Sequence, residues 1–296
     1  KGMSYSTIAV IFNPNSTGPS ERMAREFQGQ VQGAMPGQSV ELLATEYPGH
    51  AEKIAYELAN TSRNPLIISS SGDGGYHEVV NGVMQARSEG RLALLGLLPA
   101  GNANDHYRNV HTTDLVERIV HNKPVKIDAL SIRAMIDGVL TTRYAHSYIG
   151  LGFTPFVAKE LNRHRLNVFR EAWIVIAAFF RMTPIRLTIK GQTSRYDSII
   201  CSNVDMMSKY LTISSRSSMS DGQFEVTAFR RRKRLQLVML LIRASVRGVK
   251  EDERTCEFRF HTHESTLVQA DGEVLVVDGE TEAVIGIEQQ ALTSFI

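Results

Sequence analysis

The stretch "LIISSSGDGGYHEVVNG", Leu66–Gly82, decides how the rest of the chain is read. An apolar run ends in three serines. One acid then stands among three glycines, and apolar residues at helical spacing follow from Tyr76. A glycine-rich turn between a strand and a helix lets backbone N–H groups approach a phosphate, and the helix dipole favours the negative charge. Two other turns have the same character: "NPNSTG", Asn13–Gly18, and "LLPAGNAND", Leu97–Asp105. Each alone is ordinary loop punctuation. On successive strand-to-helix turns of one sheet they converge on one edge, which points to a nucleotide phosphate site. The P-loop pattern is absent, and no G-x-G-x-x-G follows the first strand. Asp73 would repel polyphosphate without a cation between them, so a magnesium nucleotide is expected; the alternative is that Asp73 caps the next helix.

Outward from this stretch, residues 1–125 alternate strand-like and helix-like segments. The strands are "TIAVIFNP", "QSVELLAT", "NPLIISSS" and "ALLGLLPAG"; the helices include "PSERMAREFQGQVQGAM", capped by Ser20, and one from Tyr76. Such alternation implies a doubly wound, mainly parallel sheet. A boundary is expected near Asn122–Pro124. From Lys126 to residue 287 the segments read as antiparallel strands, with two strands flanking Asp137-Gly138 and helices around Arg170–Arg181 and Leu235–Gly248. The expected fold is α/β: a doubly wound nucleotide-binding domain followed by a mostly antiparallel β-sandwich domain.

Composition sets the outer limits. The 296 residues are 43% hydrophobic and carry a net charge of +2, enough for one large or two modest cores and too little charge to single out nucleic acid. Cys201 and Cys256 have no metal spacing and are expected as reduced thiols of a cytoplasmic protein. Met3 is expected as the native start, with no signal peptide after it. The strongest apolar run, Trp173–Phe180, is too short for a membrane span of about 20 residues.

The ordered set "NPNSTG", "SGDGGYHEVVNG", "LPAGNAND", Asp221-Gly222 and "DGE" (Asp271–Glu273) resembles the diacylglycerol kinase and sphingosine kinase lipid-kinase family, and the matches extend over nearly the whole chain. The resemblance implies an amino-terminal nucleotide domain and a carboxyl-terminal β-sandwich, with ATP and substrate in the cleft between. It also implies that the tail, residues 288–296, returns to the first domain. It places ATP contacts on Asn13, Pro14, Asn15, Ser16 and Thr17, on Thr45, on Gly72, Asp73, Gly74, Gly75, Tyr76, His77 and Glu78, and on Asn102. Mg2+ falls on Asp221, with Ser218 and the Gln223 carbonyl nearby. The proton acceptor is Glu273 by the bacterial pattern, or Asp73 by the sphingosine kinase pattern. Where the family commonly has "GGDGT" this chain has "SGDGG", so a hydroxyl is missing at Gly75; Asn102 replaces a threonine.

Phosphoryl transfer needs positioning and charge neutralisation, plus a group to accept the hydroxyl proton. Glu273 and Asp271 are expected on one face of a strand, one taking the proton and the other, Asp271, binding metal or tuning its neighbour. The alternative is that "ADGE" is a hairpin turn, or that Asp271 serves the turn while Glu273 does the chemistry. His77, His106 and His146 lack ligand spacing and read as satisfied or exposed histidines. Asp128 would bridge the domains or simply start a strand. The basic run Arg230–Arg234 reads as a solvated edge or as a patch docking transiently on anionic membranes. The lead expectation is therefore an ATP-dependent lipid kinase acting at a membrane surface, with no nucleic-acid partner and no transmembrane segment; a homodimer stays open. The other readings are an NAD-kinase-like enzyme on a soluble substrate, or a catalytically weak nucleotide-binding regulator.

Overall fold

β1 (Thr7–Phe12), β2 (Val40–Ala44), β3 (Pro65–Ser71) and β4 (Leu94–Pro99) alternate with α1 (Ser20–Ala34), α2 (His50–Thr61), α3 (Asp73–Ser88) and α4 (Leu115–Val120). The computed structural model describes residues 5–101, 104, 107, 114–152, 183–204, 206–207, 211–212, 219–230 and 253–295. The chain divides into two units, Lys1–Ala129 with Gln289–Ile296, and Leu130–Glu288. The expected helices around Arg170–Arg181 and Leu235–Gly248, the residues Asn102, His106 and Ser218, and Arg231–Arg234 lie outside the described residues.

In the first unit the strands run parallel in the order β4-β3-β1-β2, and the chain's last strand adds beside β4 through Thr293–Phe295. β1 and β3 are buried along almost their whole length, as strands covered on both faces must be. Ile8, Val10, Leu66 and Ile68 pack with Ala24, Phe27 and Val31 of α1. Strand order reverses between β1 and β3, so the carboxyl ends of these two strands mark the crevice where such sheets bind ligands. α3 starts at Asp73, earlier than the expected Tyr76, because Gly72 is the N-cap and Tyr76 N–H donates to its carbonyl at 3.1 Å.

The second unit is built from β5 (Val125–Ile136), which enters it from the first, β6 (Val139–Ala145), β7 (Tyr148–Gly152), β8 (Ile185–Ile189), β9 (Gln192–Ser202), the short β10 (Met206–Met207) and β11 (Leu211–Thr212), β12 (Phe224–Arg230), β13 (Glu253–Thr255), β14 (Glu257–Thr262), β15 (Thr266–Ala270), β16 (Glu273–Val277) and β17 (Glu282–Phe295), whose end belongs to the first unit. The strands run β16-β15-β7-β9-β8-β14-β17, with β12 and β13 attached through β9. Pairings along this path are antiparallel. Leu151, Ile199, Phe224, Phe260, Val268 and Ile285 are among the side chains of its core. Asp137 and Gly138, both with positive φ (51° and 75°), close the β5–β6 hairpin as a two-residue loop requires. The single strand expected after that turn is two, β6 and β7, interrupted at His146-Ser147.

The fold is therefore α/β, a doubly wound sheet followed by an antiparallel β unit. No helix among the described residues is long and apolar enough to cross a membrane.

Candidate active site

The three glycine-rich turns meet. A Cβ on Gly18 would collide with the carbonyl of Ala100, and a Cβ on Gly101 would collide with the Cα of Gly72. The first and second turns therefore both rest on the third, backbone against backbone, an approach that only glycine allows. Ala100 N–H donates to the Ser71 carbonyl at 3.0 Å. Ser20 and Ser70 exchange hydroxyl-to-carbonyl hydrogen bonds, and Asn13 N–H donates to Ser20 Oγ at 3.1 Å, which fastens the start of α1 to the end of β3. The three serines thus divide by strand alternation: Ser70 faces α1, while Ser69 and Ser71 face the opposite side.

That opposite side holds a cavity of about 380 Å³, lined by Asn13, Asn15, Thr45, Tyr47, Ser69, Ser71, Gly75 and Glu78 among others. Ser69 Oγ and Ser71 Oγ lie 2.6 Å apart. Asn13 Oδ1 accepts from Asn15 N–H at 2.9 Å, which shapes the first turn. Pro14 and Ser16 line a shallower neighbouring hollow. Tyr47 is half exposed at the rim and stacks on the His50 ring at 4.5 Å and 8°. Of the residues expected to contact a nucleotide, Tyr76 and His77 have buried side chains, so only their backbone can serve. His77 is one of the satisfied histidines, with Asn81 Nδ2 at 3.3 Å from Nε2. Glu78 holds the start of α2, its carboxylate accepting from Gly49 N–H (3.0 Å) and Ala51 N–H (3.2 Å). Asp73 is the first helical residue of α3; the N-cap is Gly72 and makes no side-chain cap bond.

Gly75 explains its own departure. A Cβ there would stand 2.6 Å from Ser71 Cβ and 2.7 Å from Ser71 Oγ. A hydroxyl is present at this place after all, carried by β3 instead of α3. Ser71, Ser69 and Tyr47 were not singled out from the sequence; the alternation of the serines along β3 was the available signal.

In the second unit the acids separate. Asp271 does not share a strand face with Glu273. It sits in the β15–β16 turn at φ 48°, buried. Its carboxylate accepts from the N–H groups of His146 (2.7 Å), Ser147 (3.0 Å) and Tyr148 (3.0 Å), and lies 3.2 Å from His146 Nε2. Asp271 thereby binds the backbone at the break between β6 and β7, the turn role that the sequence left open for it. Glu273, by contrast, opens β16 and is partly exposed. Arg143 donates to its Oε2 from both Nε and Nη2 at 2.9 Å, an arginine the sequence reading passed over. Asp128 is buried and accepts from Gln290 N–H at 2.7 Å, both residues belonging to the first unit.

Of the residues expected to hold Mg2+, Ser218 lies outside the described residues and Asp221 is already engaged. Asp221 Oδ2 is ion-paired with Arg254 at 2.5 Å, and its Oδ1 accepts from Gln223 N–H at 3.1 Å. Arg254 also reaches Glu225 at 3.2 Å. Both carboxylate oxygens are in use, and a guanidinium stands where a cation would.

Residues 7–132, less than half of the chain, match the diacylglycerol kinase catalytic domain. "Putative lipid kinase YtlR" of Bacillus subtilis is 24% identical over 256 residues, 78% of this chain and 82% of that protein. Human mitochondrial acylglycerol kinase is 29% identical over 164 residues, 52% of this chain and 34% of that enzyme. The chain is thus homologous to lipid kinases. A diacylglycerol kinase structure from Bacillus anthracis superposes with a TM-score of 0.70 at 15% identity, covering 100% of this chain and 98% of that one. Yeast NADH kinase superposes with a TM-score of 0.52 at 13% identity, over 99% and 83%.

Proposed function

We propose that this chain is an ATP-dependent kinase that transfers the γ-phosphoryl group to a lipid hydroxyl of diacylglycerol-like or sphingoid type. The observation that supports it is the cavity at the β1/β3 crevice, walled by the first two glycine-rich turns and by residues 45–48 after β2, within the segment that matches the catalytic domain. Turn N–H groups and the start of α3, a helix of 16 residues, favour phosphate. The Ser69 and Ser71 hydroxyls, bonded to each other at 2.6 Å with Ser71 donating to the Gly72 carbonyl at 3.0 Å, turn to donate to phosphate oxygens in this reading. Tyr47 gives a rim on which a nucleobase stacks. In this reading Glu273 accepts the proton of the attacking hydroxyl and Arg143 orients it. Mg2+, which neutralises charge on nucleotide phosphates, is expected to arrive with ATP, since Asp221 is engaged with Arg254.

The test is phosphoryl transfer from radiolabelled ATP across a panel of lipids in micelles, with NAD+ as the soluble competitor. Turnover with a lipid only supports the reading. Turnover with NAD+ replaces it by the NAD-kinase-like one. ATP binding without turnover on any acceptor replaces it by a regulator of the same fold. Asp73→Asn should abolish transfer and change the Mg2+ dependence of ATP binding; unchanged stabilisation by Mg-ATP would remove Asp73 from the phosphate site.

A further inference from the structure

Two turns at one end of the second unit bring together two imidazoles and a carboxylate that the kinase reading does not use. His261 is the last residue but one of β14, His263 follows the strand, and Glu280 lies in the β16–β17 turn. The reactive atoms of the three lie within 4.8 Å of one another. His261 Nε2 is 3.5 Å from Glu280 Oε2, and His263 Nδ1 is 3.9 Å from Glu280 Oε1. The two rings are 5.2 Å apart at 76°, edge to face, so they are not stacked on each other. A tetrahedral ion with bonds of about 2.0–2.1 Å holds its ligands roughly 3.3–3.4 Å apart. The two nitrogen-to-carboxylate distances, 3.5 and 3.9 Å, are near that spacing, and the full set, spread over as much as 4.8 Å, must draw together by side-chain rotation.

The support around the cluster is that of a built site. Thr188 Oγ1 lies 2.8 Å from His263 Nε2, and Thr193 Oγ1 lies 2.7 Å from Thr188 Oγ1. The tautomer in which Nε2–H donates to Thr188 leaves the Nδ1 lone pair on the Glu280 side, as a metal ligand requires. This is the outer hydrogen bond that fixes a ligating histidine's tautomer. The turns themselves are clamped. The buried Thr262 hydroxyl donates to the Asp278 carbonyl at 2.7 Å, and Thr262 N–H donates to the Thr281 carbonyl at 2.9 Å. Asp278 accepts from Asp137 N–H (3.2 Å) and Gly138 N–H (2.8 Å). Gly279 presses on the backbone of Glu264 and Ser265, at 3.0 and 3.1 Å from a Cβ position. Glu280 takes a left-handed φ of 54°, which turns its side chain back over the histidines.

We propose that His261, His263 and Glu280 bind one divalent transition-metal ion, with Zn2+ the ion best suited to two imidazoles and a carboxylate, and that the ion ties the β14–β15 turn to the β16–β17 turn. Three protein ligands leave a coordination position for water or another oxygen ligand. Mg2+ prefers oxygen and does not suit the site. The side chains are 38%, 23% and 72% exposed, so an ion from solution reaches them directly.

The experiment is calorimetric titration of the chelator-treated full chain with ZnCl2 in the presence of excess MgCl2. The wild type should bind one Zn2+ that the His261→Ala/His263→Ala variant does not, and Glu280→Gln should weaken it at least tenfold. Thr188→Val, which leaves all three ligands, should weaken it about 10-fold. Circular dichroism melts without metal verify that each variant folds, and Zn2+ should raise the melting temperature of the wild type but not that of the His261→Ala/His263→Ala variant. Equal Zn2+ stoichiometry in wild type and double variant, or displacement by Mg2+, overturns the proposal.

Discussion

Replacing Gly75 by threonine tests the account of the second turn most directly. The new Cβ would stand 2.6 Å from Ser71 Cβ and 2.7 Å from Ser71 Oγ, where ordinary carbon contacts are about 3.5–4.0 Å. Both atoms sit on short, stiff side chains, and Ser71 is also held by Ser69 at 2.6 Å, so neither side yields easily. Overpacking of this kind costs about 1–3 kcal/mol. The helix propensity gained by losing a glycine returns at most a few tenths of a kcal/mol. Gly75→Thr should therefore lower the stability of the first unit by about 1–2.5 kcal/mol. Ser71→Gly removes the colliding atoms and one hydroxyl. The pair Ser71→Gly/Gly75→Thr moves the hydroxyl from strand to helix, and should regain most of what Gly75→Thr loses. Neighbouring residues that share a space are non-additive in this way. Denaturant unfolding followed by circular dichroism gives the four stabilities, and titration with an ATP analogue gives the four affinities. Ser71→Gly alone should weaken nucleotide binding, with recovery in the pair. A Gly75→Thr variant as stable as the wild type, or additive effects in the pair, would refute the Ser71–Gly75 exchange.

Glu273→Gln should reduce lipid phosphorylation by about 10²-fold or more while nucleotide binding is retained, and near-normal turnover would sink its assignment as proton acceptor. Asp271→Asn places an amide NH2 among three backbone donors in a buried turn, and should cost about 1–3 kcal/mol by thermal unfolding; a melting temperature equal to wild type would show that the carboxylate does not hold the β6–β7 break. Burial of Tyr5, whose hydroxyl donates to the Ile119 carbonyl at 3.0 Å, pushes its pKa from 10.0 up to about 12. The unfolded chain loses this proton near pH 10 and the folded chain keeps it to about 12, so stability is intact below pH 10 and declines through that window. Tyr5→Phe should flatten part of the decline, with burial of the Cys201 thiol, also pushed up, supplying another part; an unchanged alkaline profile would contradict this.

Much of the first unit was legible because its signals are local. An apolar run at β1 or β3, a glycine turn and an amphipathic helix each lie within a few residues of chain, and repetition of that unit admits few sheet orders. Strand alternation, which separates Ser69 and Ser71 from Ser70, was present in the sequence as a signal but was not used. The start of α3 was misplaced because a glycine N-cap carries no side-chain signal, and the split of β6 from β7 was invisible because its cause, Asp271, lies 123–125 residues away.

By itself the sequence determined the α/β class, the convergence of three phosphate-type turns on one sheet edge, and the acids worth examining. Only the tertiary structure decided what those acids do. Asp271, Glu273 and Asp221 look alike in "DG" contexts, but the structure surrounds the first with backbone N–H groups and pairs the other two with Arg143 and Arg254. The chemistry of a carboxylate is set by the donors and charges within a few ångströms of it. In an antiparallel unit those neighbours come from strands far apart in the chain, brought together by register. The His261, His263 and Glu280 cluster exists for the same reason: two turns separated in sequence are clamped side by side by Thr262 and Gly279.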